Sequence, residues 1–138
     1  MIHTGPAASA DKREELKVIL PPGIPADYLG FFESHDGAEI CFDEVNWLEA
    51  NFDCLRIDSV ADMLDSKTRA ALAEVFPDLF VIGSDGGGQV IAYDMTRQAP
   101  WPIVLHLPGS SEPGNAPILA ASMTEFMQTF LQGGAPYS

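Results

Sequence analysis

The stretch from Leu79 to Met95, Leu-Phe-Val-Ile-Gly-Ser-Asp-Gly-Gly-Gly-Gln-Val-Ile-Ala-Tyr-Asp-Met, restricts the possible folds of this chain more than any other. Leu79 to Ile82 is apolar at every position, as in a strand covered on both faces, so it is expected to be central in a sheet. Gly83 to Gly88 then supplies glycines that can take positive φ and an aspartate that can bond its own backbone, which predicts a tight reversal. Val90 to Asp94 resumes a β-prone run, and the whole reads as an antiparallel hairpin. A phosphate-binding loop would need a helix after the glycines, and Ser84 is not framed as a nucleophile elbow. The run is therefore assigned to architecture.

Around this hairpin the other elements are marked by local signals. Met1 to Ala10 shows no periodicity and is expected to be a flexible N-terminus, followed by one domain over residues 11–138. Asp11 to Leu20 reads as a short helix or a strand that stops at Pro21-Pro22. Ile24-Pro25 opens a helix carrying Tyr28, Leu29, Phe31 and Phe32 inward, with Asp36-Gly37 to end it. Ala38 to Phe42 alternates like a half-exposed strand, and Cys54 to Ile57 reads as another. Ser59 with Asp62 begins a helical pattern extended through Leu72, Val75 and Phe76 to Pro77. Ile103, Leu105 and Leu107 alternate with Val104 and His106, after Pro102 at a strand start or edge. Ser122 and Glu125 form a capping box before Met123, Phe126, Met127, Phe130 and Leu131 at helical spacing.

Charge excludes some partners and suggests others. Twenty acidic against seven basic residues give a net charge of -13, which repels nucleic acid and anionic membranes. From Asp27 to Asp65 there are eleven acids and one base, Arg56, so that span alone carries a net -10. Such runs are usually a solvated face, but crowding like charges costs stability, and a basic protein partner would relieve it. Glu39, Asp43, Glu44, Glu49 and Asp53 are the candidate partner-binding charges, with Trp47 among them as a candidate aromatic anchor. No metal, cofactor or catalytic set is expected: His3, His35 and His106 are far apart in sequence, and the many carboxylates have no partner at fixed spacing. Cys41 and Cys54 lack metal-ligand spacing and are expected to be reduced thiols, in a cytoplasmic protein.

Three separated blocks, Pro25-Ala-Asp-Tyr-Leu-Gly-Phe-Phe through His35-Asp36-Gly37, Leu79 to Tyr93, and Ala120-Ala121-Ser122 with Glu125-Phe126, together resemble the SUKH superfamily. Asp36-Gly37 stands where members often have Asn-Gly, and Ala38 to Pro77 matches least. The resemblance implies a single α+β domain with a curved, mostly antiparallel sheet flanked by helices and no catalytic residues. It further implies binding rather than catalysis: bacterial members neutralise toxins, often nucleases, by binding them. An acidic immunity protein facing a basic toxin is the expectation; a regulatory or scaffolding domain without a toxin is the alternative, and a hydrolase using Ser84 or paired carboxylates would need a deep pocket around them.

Overall fold

The computed structural model describes residues 2–41, 54–85, 88–106 and 116–131. Seven strands form one antiparallel sheet whose spatial order follows the chain: β1 (Ile2–Thr4), β2 (Ala38–Cys41), β3 (Cys54–Ile57), β4 (Leu79–Ser84), β5 (Val90–Asp94), β6 (Ile103–His106) and β7 (Ile118–Ala120). The helices are α1 (Ala10–Ile19), α2 (Ala26–Phe32), α3 (Val60–Met63), α4 (Ser66–Val75) and α5 (Met123–Phe126), the last continuing as a π-helical turn over Met127–Leu131. This is the α+β architecture expected, with β4 in the middle of the sheet and β5 folded back on it.

Both faces of β4 to β6 are covered, which explains their unbroken apolar runs. Phe80, Ile82, Ile91, Tyr93, Ile103 and Leu105 point into the main core with α2, α3 and α5. Leu79, Val81, Ala92 and Val104 point the other way, beneath Leu72 and Phe76 of the α4 segment. Helix α2 docks through aromatic edges. Tyr28 is perpendicular to Phe32, Tyr93 and Phe80, with ring centroids 5.3, 5.9 and 6.2 Å apart.

Several boundaries differ from the sequence reading, each for a physical reason. The N-terminus is not loose over its whole length. Ile2–Thr4 pairs with Ala38–Ile40, and Gly5, Asp36 and Ala8 extend the contact by backbone bonds to Gly37, Pro6 and Phe32. The helical pattern after Ser59 is two helices, because Asp65 accepts from the amides of Lys67 and Thr68 and starts α4 afresh. Val75 points outward. Cys41 and Cys54, read as reduced thiols, are directly opposed in the β2–β3 register and joined as a disulfide.

Gly83 is likewise not a turn residue. It lies inside β4 at a register shift, and a Cβ there would be driven into the carbonyl oxygen of Arg56 on β3. Its missing side chain lets β3 and β4 pair at all. Gly88 has a positive φ of 104° and open space around it, so it serves the reversal, which Asp85 closes by accepting from the amide and side chain of Gln89. Gly83→Ala should therefore cost about 3 kcal/mol by forcing two backbones apart, whereas Gly88→Ala should cost only about 1 kcal/mol of dihedral strain. Urea denaturation of both variants measures the difference.

The hydroxyls of Tyr28 and Tyr93 are buried and have no hydrogen-bond partner among the described residues. Burial is the main cause that raises both phenol pKa values, and each is raised further by a neighbour: Tyr93 for Tyr28 and Asp27 for Tyr93. A raised folded-state pKa means stability is complete below the unfolded value near 10 and falls as pH rises above it, by about 1.4 kcal/mol per pH unit for each tyrosine. Tyr28→Phe and Tyr93→Phe should each hold or increase stability at pH 7, since an unpartnered buried hydroxyl is removed, and should flatten this alkaline loss. Thermal melts between pH 7 and 11 report both effects.

Candidate functional site

Glu39 is the one predicted partner-binding residue among those described; Asp43, Glu44, Trp47, Glu49 and Asp53 lie outside them. The residues joining β2 to β3 are bracketed by the Cys41–Cys54 bond, so the chain positions carrying these side chains are tethered to the β2–β3 ladder at both ends. Glu39 sits on the exposed face of β2, with His3 of β1 on one flank and Arg56 of β3 on the other. Cross-strand neighbours on one face lie close enough to interact, so Glu39 occupies the middle of a His-Glu-Arg row.

That row forms part of a wide, open groove of about 450 Å³, lined also by Thr4, Asp36, Ser59 and Asp62. Its charged walls hold three carboxylates, those of Asp36, Glu39 and Asp62, against the single guanidinium of Arg56. Two of the three are already engaged. Asp36 accepts from the amide of Val60 at 2.8 Å and so fixes the start of α3. Asp62 meets Arg56 at 2.9 Å, and Asp58 stands 3.7 Å from the same guanidinium. Burial pushes the Asp58 carboxyl up from its ordinary pKa; Arg56 draws it back down and nearby Asp62 adds to the rise. Of the three carboxylates, that of Glu39 alone has neither a hydrogen bond nor an ion pair among the described residues, and it is exposed.

The acidic span therefore divides by role. Of its eleven acids, seven are described, and six of these serve the fold. Asp27 accepts from the amide and hydroxyl of Thr124, tying α2 to the first turn of α5. Glu33 meets Arg13, Asp65 caps α4, and Asp36, Asp58 and Asp62 act as described above. The sequence count treated all eleven as one field. Only Glu39 keeps that character among the described residues, and the other unassigned charges are those at 43, 44, 49 and 53.

Two residues that the sequence reading placed at helix ends also hold the site together. Gly37, with φ of 90°, passes so close to Ile57 and Ser59 that a Cβ would meet their backbone at 3.1 to 3.3 Å, so the Asp36-Gly37 pair carries both the cap and the close approach. Ser59 accepts from the amide of Asp62, as its spacing indicated. Ser84 lines neither this groove nor the deeper apolar pocket beside α4. Among the described residues no group of His, Cys, Asp or Glu is arranged to hold a metal ion, and no helix is long and apolar enough to cross a membrane.

A seven-stranded meander with helices docked mainly on one face, an Asp-Gly corner before the second strand and a capped final helix define a SUKH-type α+β domain. The chain belongs to the SMI1 / KNR4 family (SUKH-1), whose model matches residues 10–129. No curated protein matches it.

Asp36→Ala leaves the Val60 amide without its acceptor and frees the Asp-Gly corner, and should lower stability by about 1 to 2 kcal/mol. Glu39→Ala removes an exposed, unpaired carboxylate and should change stability by less than about 0.5 kcal/mol. Chemical denaturation of the two variants distinguishes a carboxylate that holds the fold from one left for contact.

Proposed function

We propose that this protein is a non-enzymatic binding domain that acts as an immunity protein, neutralising a cognate basic toxin through the acidic surface at the β1–β3 end of its sheet. Glu39 and the segment charges Asp43, Glu44, Glu49 and Asp53 supply the field, and Trp47 supplies contact area. The observation that carries this reading is Glu39 itself, an exposed carboxylate with no partner among the described residues, in a groove whose other carboxylates are engaged. Family membership supports it, and so does the net charge of -13. A toxin that acts on nucleic acid must present cations to phosphate, so an inhibitor can compete for the same surface by offering carboxylates in their place. The anchorage of both ends of the 42–53 segment to one disulfide-linked strand pair supports it further, because a tethered recognition segment loses less entropy on binding than a free one.

The reading makes a kinetic demand. Complementary charge acts mainly on encounter, so association with a basic protein encoded beside this gene should slow by about tenfold or more between low salt and about 0.5 M salt. Glu39→Lys combined with Asp43→Lys should slow it to a similar degree at low salt while the fold is retained. An association rate indifferent to both salt and charge reversal, measured by stopped-flow fluorescence, would overturn the electrostatic reading. Failure of co-expression to protect cells from that protein would remove the toxin.

A further inference from the structure

On the opposite side of α3 from the acidic groove lies a second depression, about 380 Å³ in volume, open to solvent along α4. It exists because α4 stands off the sheet. The helix turns Arg69, Leu72 and Ala73 inward, followed by Phe76, at positions i, i+3, i+4 and i+7, yet none of the residues of α4 is fully buried. The opposite wall is the strand segment Leu79 to Val81, and Ile19 with Met63 closes one end. A cavity of this size falls within the range of small-ligand sites, and its walls are predominantly apolar.

Its single cation is unusual in this chain. Of the four arginines, Arg13, Arg56 and Arg97 each meet a carboxylate. Arg69 meets none among the described residues. Its Nη1 donates to the carbonyl of Val81 at 2.7 Å and lies 3.2 Å from Sδ of Met63, and its guanidinium carbon stands 5.2 Å from the centre of the Phe80 ring. Nε and Nη2 have no protein acceptor among the described residues. A guanidinium presents five N–H donors in a fixed fork suited to a carboxylate, and most of that fork is unused here. The electrostatic cost is visible in the group itself: burial lowers its pKa from the ordinary arginine value, with Tyr28 and Asp58 offsetting part of the loss. In a protein with twenty acids, a half-buried arginine that makes no ion pair with a carboxylate among the described residues fits a counter-ion supplied from outside.

We propose that this pocket binds a small amphipathic carboxylate of the fatty-acid class, its head on the free edge of the Arg69 fork and its chain along Leu72, Phe76 and Leu79. The carboxylate would neutralise a charge that has no ion-pair partner among the described residues, and the chain would cover apolar wall that α4 leaves open. This site is independent of the acidic groove, so neither proposal falls with the other.

Decanoate below its micellar concentration and decanol below its solubility limit are the probes for isothermal titration calorimetry on the full chain. Decanoate should bind at least about tenfold tighter than decanol, the factor expected for one charge-assisted hydrogen-bond pair. Arg69→Gln keeps a donor for the Val81 carbonyl and should erase that preference, making the two probes bind alike. Ala73→Trp fills the pocket from an exposed helix position and should abolish binding of both. Decanoate should also shift the Arg69 Nε–H resonance in the unaltered protein, which needs no variant to fold. Equal affinity for the two probes, a decanoate affinity unchanged in Arg69→Gln, or an unmoved Arg69 resonance at saturation would overturn the proposal.

Discussion

The close approach of β3 to β4 at Gly83 is the constraint from which most of this molecule follows. Among the described residues the two strands share the Arg56–Ser84 and Ile57–Gly83 pairs before they separate, with one further bond from the Asp58 amide to the Ile82 carbonyl. Where they part, β3 gives way to the Ser59-capped α3, and the adjoining edge of β4 loses its strand neighbour. A sheet edge left unpaired in the middle of a domain has to find other partners. Arg69 supplies one by donating to Val81, and α3 and α4 cover the rest incompletely. The apolar pocket is thus a direct consequence of a strand pair that glycine allows to form and that two residues later has already ended.

Carboxylates are used here chiefly as structural acceptors. Helix starts expose amides that lack internal partners, and an acidic side chain satisfies them while favouring the positive end of the helix. Asp65 does this for α4 locally, and Asp36 and Asp27 do it for α3 and α5 from distant points in the chain. The long-range caps do more than a local serine could, because each also fixes one element against another. Asp94 follows a related logic in the interior: fully buried, it is held by the amide and hydroxyl of Thr96 and by Nε of Arg97, whose Nη2 reaches the carbonyl of Ala116. Much of the acidity therefore belongs to folding, and the charge left for recognition is smaller and more localised than composition implies.

Which features were legible in the sequence follows from how local their causes are. The β4–β5 hairpin, the alternation of β2 and the Ser122 cap of α5 each depend on residues within a few positions, and all appear where the pattern put them; Glu125 reaches back past the cap to accept from the amide of Ala121, one residue before Ser122. Gly83 was misassigned because a glycine inside a strand and a glycine in a turn look alike until the neighbouring strand is known. The pairing of Ile2–Thr4 has no local signal, since three residues acquire a strand conformation only from β2. The break between α3 and α4 was encoded in Asp65, but an aspartate inside a helical pattern does not announce whether it caps or merely faces solvent. The disulfide required knowing that β2 and β3 align Cys41 with Cys54. Of the candidate site, Glu39 could be named from alternation; that its carboxylate has no partner among the described residues depends on Arg56 turning to Asp58 and Asp62.

The two candidate surfaces are neighbours through α3, a helix of four residues with Asp62 facing the groove and the adjacent Met63 facing the pocket. Arg56 anchors the first side by its ion pairs with Asp58 and Asp62, and Arg69 anchors the second by its contact with Met63. The same short helix is fixed at its start by Asp36 from the Asp-Gly corner. Polar contacts thus hold α3 on the groove side, whereas on the pocket side it rests on packing and a single sulfur contact. Filling the pocket would add contacts on the side of α3 away from its ion pair with Arg56, and would do so without touching the carboxylate proposed to meet a basic partner.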